Sequence, residues 1–270
     1  MSDRTFDDLR IPVRDPEGLR DVLARLVAGA RDVLGDEFVG AWLQGSLAAG
    51  DFEDLSDVDF VVGVREDVSD DRVPALQSFH HTLFDHPSDW AWHLEGSYTP
   101  LSALANPPPP RRKLLYIDHG ATSFERSDHD HYLAVLWILR ERGVTLAGPP
   151  ARTLIPPIPP GALAAEVRKT MREWGAWLFA APDDSLQRWL ESFAVLTYCR
   201  MRHTLVTGEV RSKLAGRRWA REALDRRWHS LIDRAWENRV RATEESHRPA
   251  DPQRLAEMRE FVRYVLGTLD

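Results

Sequence analysis

The chain has 270 residues, of which 43% are apolar and 29% charged, with a formal net charge of −7. That balance supplies a sizeable core and excludes a chain disordered throughout; no stretch nears the roughly 18 uninterrupted apolar residues of a membrane span. The charge is uneven: residues 1–150 hold 26 acidic side chains against 14 basic ones, and residues 151–270 hold 16 against 21, so the first part suits metal and cationic ligands and the second suits phosphates.

At roughly 150 residues per domain the length fits one large domain or two modest ones. The opening MSDRTFDDLR is acidic and lacks an apolar segment, so it does not read as a secretory leader. Residues 16–34 place Leu19, Val22, Leu23, Leu26, Val27 and Val33 on one helical face, with Asp15 as N-cap and Pro16 in the first turn. FVGAWLQ (38–44) and DVDFVVGV (57–64) read as buried strands, and residues 74–83 as a helix. WAWHLEGSY (90–98) alternates as a third strand. The prolines of ANPPPPRRK (105–113) make a loop, LLYID (114–118) is expected as an edge strand, and residues 132–141 form a helix ended by Gly143.

A seam follows at PPARTLIPPIPPG (149–161), whose six prolines favour stiff, extended backbone. Beyond it, helices are expected near 162–180, 184–207, 216–223, 225–241 and 251–269, the second with an apolar stripe of Leu186, Leu190, Phe193, Leu196 and Thr197. The fold class is therefore α+β: an N-terminal mixed sheet with flanking helices over 1–155 and a helical bundle over 156–270. The lone Cys199 excludes an internal disulfide and a cysteine zinc site, and a reducing, cytoplasmic location fits it.

The informative stretch is QGSLAAGDFEDLSDVDF (44–60). One strand ends near Gly45-Ser46, and the next opens with Asp57-Val58-Asp59 after ten intervening residues. Alternation puts Asp57 and Asp59 on the same face, about 7 Å apart along the strand. Two carboxylates on a rigid face make a hard oxygen site for Mg²⁺. Gly45 permits close backbone approach, and Ser46 offers a hydroxyl and free amides to a phosphate. The combination suits phosphoryl or nucleotidyl transfer.

This pattern resembles the nucleotidyltransferase superfamily. HLEGSY (93–98), RERGVTLAGP (140–149), LTYCRMRHTLVTGEVRSK (196–213) and FVRYVLG (261–267) look, in order, like segments of the aminoglycoside adenylyltransferases of the streptomycin/spectinomycin class. The resemblance implies a catalytic domain followed by a helical nucleotide- and substrate-binding domain that closes over the ligands. It makes Glu95 a third metal carboxylate and the general base on the acceptor hydroxyl, and it makes Lys213 and Arg200 ligands of the ATP phosphates.

Other residues read more plainly. His80, His81, His86, His129 and His131 show no spacing that demands zinc and are expected on the surface or on helices. Trp90 and Trp92 flank the Glu95 strand and are candidates to line an acceptor pocket. Arg217, Arg218 and Arg221 read as a solvated helix face. Residues 101–125 lack a tryptophan, and the position where the streptomycin-modifying enzymes carry an aspartate falls on Leu190, with Glu191 beside it. Both departures favour spectinomycin over streptomycin.

The expected function is Mg²⁺-dependent transfer of AMP from ATP to a hydroxyl of an aminocyclitol or aminoglycoside, releasing pyrophosphate and conferring antibiotic resistance. The partners would be ATP and a small cationic, hydroxyl-bearing acceptor, with neither nucleic acid nor membrane, and the chain a monomer. Alternatives are a nucleotidyltransferase of the same fold acting on another metabolite or a protein side chain, and a nucleotide-binding regulator without turnover.

Overall fold

A computed structural model describes residues 4–6, 13–50, 56–241 and 244–269. The rest of the MSDRTFDDLR and Gly-Ser to Asp-x-Asp segments, residues 1–3, 7–10 and 51–55, lies outside the described residues. The chain divides into two compact units, Met1–Ile158 and Pro159–Asp270.

The first unit is built on seven described strands: β1 (Arg4–Thr5), β2 (Phe38–Leu43), β3 (Val58–Val64), β4 (Leu94–Pro100), β5 (Leu114–Ile117), β6 (Glu125–Ser127) and β7 (Val144–Ala147). They lie side by side in the order β1-β7-β2-β3-β4-β5-β6. The β3–β4 and β1–β7 pairs are parallel and the others antiparallel. Val58, Phe60, Val61, Val62 and Val64 are all buried, so β3 is an apolar run covered on both faces.

Local chemistry sets the helix ends. α1 (Pro16–Leu34) starts where the Asp15 carboxylate accepts from Gly18 N at 2.9 Å, and it buries Leu19, Val22, Leu23, Leu26, Ala30 and Leu34. α2 (Gly45–Ala49) is a short turn after β2, and α3 (Val73–Phe84) is the crossover that parallel β3 and β4 require. α4 (Leu101–Ala105) follows β4, and α5 (Leu133–Arg142) stops at Gly143.

Two sequence expectations change here, and one strand was not anticipated. Residues 89–91 form a 3₁₀ turn, so the third strand begins at Leu94 rather than at Trp90. LLYI is not an edge: β5 lies between β4 and β6, and its four residues are all buried. Val144–Ala147, in the resemblance segment RERGVTLAGP, is a strand paired with β2 and β1. Four-residue strands carry too little alternation to separate an edge from an interior position. The proline seam is tethered to α5 by the Arg140 guanidinium, which donates to the carbonyls of Arg152 and Ile155, each at 2.6 Å.

The second unit holds α6 (Pro160–Ala180), α7 (Trp189–Thr207), α8 (Lys213–Ala223), α9 (His229–Val240) and α10 (Pro252–Leu266). α7 packs against the other four. Residues 194–199 are all buried, so α7 is covered on several sides rather than along a single stripe. Leu186, expected in that stripe, is buried but precedes the helix. Arg259 closes the end of α6 by donating to the carbonyls of Leu178 at 2.8 Å and Ala181 at 2.7 Å. No helix among the described residues is long and apolar enough to cross a membrane.

Candidate active site

Register positions the carboxylates. Asp59 of β3 pairs with Glu95 of β4 in the parallel ladder, and partners in a ladder project to the same face. Asp57 precedes Asp59 by two residues and shares that face. Val58 and Leu94, one step along each strand, point into the core at 0% and 3% exposure. The Asp59 carbonyl accepts from Gln44 N at 2.9 Å, fixing the end of β2 beside it. Gly45 then turns the chain at φ +60°, and a β-carbon there would overlap the Asp59 carboxylate. Ser46 follows in α2 and is half-buried.

The Glu95 side chain is 13% exposed, against 38% for Asp57. Its Oε1 accepts from the Tyr116 hydroxyl at 2.6 Å and lies 3.3 Å from His129 Nε2. Tyr116 sits opposite Ser97 on β5, stacks on His129 with ring centres 5.1 Å apart, and is 3.2 Å from Asp118 Oδ1. Burial raises the Glu95 pKa above the ordinary carboxylate value, and the nearby Asp57 and Asp130 add to the rise; Tyr116 and His129 oppose it. Asp130 is itself buried, with its own pKa raised by burial. Its Oδ1 accepts from Gln44 Nε2 at 3.2 Å, while Oδ2 has no hydrogen-bond partner among the described residues.

Asp57 is hydrogen bonded to His119 Nδ1, and this contact raises the His119 pKa. His93 faces His119 with ring centres 4.8 Å apart. Burial lowers the His93 pKa, and His119 adds to the effect.

The three carboxylates offer hard oxygen donors with no nitrogen or sulfur among them, and the missing β-carbon of Gly45 lets the Asp59 carboxylate lie against the backbone of the turn. That set fits Mg²⁺. Arg200 and Lys213 both lie in the second unit. Arg200 on α7 backs onto Gly216 of α8, where a β-carbon would be 2.7 Å from the Arg200 Cα. Lys213 opens α8, and its ammonium lies 4.9 Å from the Phe193 ring centre.

The sequence expectations fare unequally. His80 lies on α3, as expected, but is buried in an aromatic cluster and bonds the Tyr98 hydroxyl at 3.0 Å, and burial drives its pKa down to about 3. His131 is buried too, accepting from Arg112 N at 2.9 Å. Trp90 is buried with Nε1 donating to the Asp15 carbonyl at 2.9 Å, and Trp92 stacks on Phe84. Arg217 and Arg221 both pair with Asp233, as a solvated helix face allows. Glu191 is 3% exposed and bonded to Arg234 Nε at 2.8 Å. It is buried in the helical unit, against Arg234.

Sequence reasoning missed Tyr116, His93, His119, His129 and Asp130. Only His129 carried a signal, its neighbours Asp128 and Asp130, and that signal says nothing of Glu95.

Three comparisons support the resemblance. Residues 153–268 match the family of the aminoglycoside adenylyltransferase C-terminal domain. Curated aminoglycoside (3'') (9) adenylyltransferases from Escherichia coli and Klebsiella pneumoniae are 31% and 30% identical over 147 residues, 54% of this chain. The chain spans about half the length of these relatives, 52% in each case. The crystal structure of spectinomycin adenyltransferase AAD(9) from Enterococcus faecialis with ATP and spectinomycin superposes with a TM-score of 0.68 at 16% identity, covering 90% of this chain and 99% of that one. At that identity the likeness shows a shared fold.

Proposed function

From the kinship of this chain with the aminoglycoside nucleotidyltransferases, we propose that it transfers AMP from ATP to a hydroxyl of an aminocyclitol or aminoglycoside. The observation that carries the reading is the register of Asp59 with Glu95, with Asp57 on the same face.

Asp57, Asp59 and Glu95 are the residues that would hold Mg²⁺, which when bound neutralises triphosphate charge. Glu95 accepts the proton of the attacking hydroxyl. As the acceptor oxygen bonds to the α-phosphorus, the bond from that phosphorus to the bridging oxygen breaks and pyrophosphate leaves with the electron pair. Burial raises the Glu95 pKa above its ordinary value, which favours this role. Tyr116 orients the carboxylate through Oε1, leaving Oε2 for the substrate. Gly45 and Ser46 meet a phosphate through backbone amides and a hydroxyl. Arg200 and Lys213 are assigned to the triphosphate as cations, Lys213 acting as a mobile point charge.

The acidic first unit favours a cationic acceptor. Spectinomycin is favoured over streptomycin because residues 101–125 hold no tryptophan and Glu191 is occupied by Arg234. The test is pyrophosphate release from ATP and Mg²⁺ with spectinomycin, streptomycin and several aminoglycosides, with Asp59→Asn as the blank. Release with spectinomycin that vanishes in Glu95→Gln, with Mg-ATP binding kept, is the expected result. Normal Mg-ATP binding without release for any drug would move the acceptor to another class of metabolite or protein.

A further inference from the structure

Beside the carboxylates lies a second donor set of different chemistry. Ligand atoms of Asp57, His93 and His119 all fall within 4.8 Å of one another. Two backbone hydrogen bonds bring them together. Val58 N donates to the His93 carbonyl at 2.7 Å, joining the residue after Asp57 to His93. Gly120 N donates to the Trp92 carbonyl at 3.0 Å, joining the residue after His119 to the one before His93. Three residues far apart in sequence are thus clamped at one end of the β3–β4 pair.

We propose that Asp57, His93 and His119 form a binding site for a borderline transition-metal ion of the Zn²⁺ class, sharing Asp57 with the oxygen-only set of Asp57, Asp59 and Glu95.

The donor types carry the assignment. Two imidazoles and one carboxylate suit Zn²⁺, Co²⁺ or Ni²⁺, whereas Mg²⁺ prefers oxygen alone. Three protein ligands leave a position for water or a ligand atom, as in zinc sites with an open coordination position. His93 Nδ1 is buried and has no hydrogen-bond partner among the described residues, so one ring nitrogen is already desolvated and without a partner to give up. His119 is the adjustable member, with a side chain 40% exposed. Zinc–nitrogen bonds of about 2.0–2.1 Å put tetrahedral ligand atoms about 3.4 Å apart, so the exposed His119 ring, now in contact with Asp57, has to turn away from that carboxylate to admit the ion. The ion takes the place of the hydrogen atom that now joins His119 to Asp57. Because Asp57 serves both donor sets, an ion on the histidines withdraws it from Mg²⁺. This inference stands apart from adenylyl transfer and needs neither nucleotide nor acceptor.

The test is a titration of the metal-stripped full chain with Co²⁺, read by the visible d–d absorption of a low-coordinate, nitrogen-ligated ion. The expected result is saturable binding of one equivalent, reversed by Zn²⁺ and weakened at least about tenfold in His119→Ala and in His93→Asn, with Asp59→Asn still binding. Circular dichroism shows whether each variant is folded, and His119→Ala, at an exposed position, keeps the test decisive if His93→Asn unfolds. Absence of saturable binding by the wild-type chain, or binding of unchanged affinity in folded His119→Ala, overturns the proposal.

Discussion

The backbone of Gly45 lies so close against the Asp59 carboxylate that a β-carbon at residue 45 would overlap Asp59 Oδ2. Gly45 also has φ +60°, a conformation that L-residues adopt only under strain. Gly45→Ala therefore displaces Asp59 or the turn that carries Ser46. Misplacement of a catalytic group by about 1 Å costs about 100-fold, so pyrophosphate release should fall by that order. Thermal melting should show a folded variant; a variant with wild-type turnover would show that this close approach is unimportant.

Tyr116→Phe reports on the base. The folded Glu95 carboxyl has its pKa raised by burial, and the Tyr116 hydroxyl partly holds it down. The active form is the carboxylate, so kcat/KM rises with pH through the Glu95 pKa. Removing the hydroxyl removes a hydrogen bond to the charged form, so the acid limb of the profile should move to higher pH. A limb that stays in place or moves down would contradict the orienting role.

His80 makes stability sensitive to acid. Its folded pKa is about 3 against an ordinary 6.5. Below pH 6.5 the unfolded chain takes up a proton that the native core refuses until about pH 3. Stability is therefore lost as pH falls through that window, at up to about 1.4 kcal/mol per pH unit. His93, His131 and His203 have lowered values as well. His80→Gln, which can still bond Tyr98, should flatten the dependence in urea titrations between pH 7 and pH 4 without removing it.

Arg234 holds two carboxylates in the helical unit, Glu191 at 2.8 Å and Glu257 at 2.6 Å. The Glu191 side chain is only 4% exposed, so Arg234→Ala leaves a buried acid without its cation. The expected loss is about 3–5 kcal/mol, measured by chemical denaturation. A change below about 0.5 kcal/mol would place this pair among the surface ion pairs that contribute little.

Much of this was legible in the chain. α1 lies over the anticipated residues because Asp15, Pro16 and the apolar spacing act within a few residues of one another. The same locality made Asp57 and Asp59 readable as one face. The fates of the histidines and tryptophans were not readable, because burial depends on what packs above a side chain. His80 enters the core because Phe60, Tyr98 and Phe124 surround it, and none of them is its neighbour in sequence. Trp90 was expected on a strand beside Glu95, but the chain turns there and Asp15 captures its indole.

The sequence by itself determined the α+β order, the start of α1 and the alternation that pairs Asp57 with Asp59, since alternation, capping and proline geometry act over short chain distances. Only the tertiary structure decided that Glu95 pairs with Asp59, that Tyr116 and His129 meet Glu95 from β5 and the loop after β6, and that His93 and His119 converge on Asp57. Those meetings depend on strand register and on backbone hydrogen bonds between distant segments, and such contacts form only when the sheet closes.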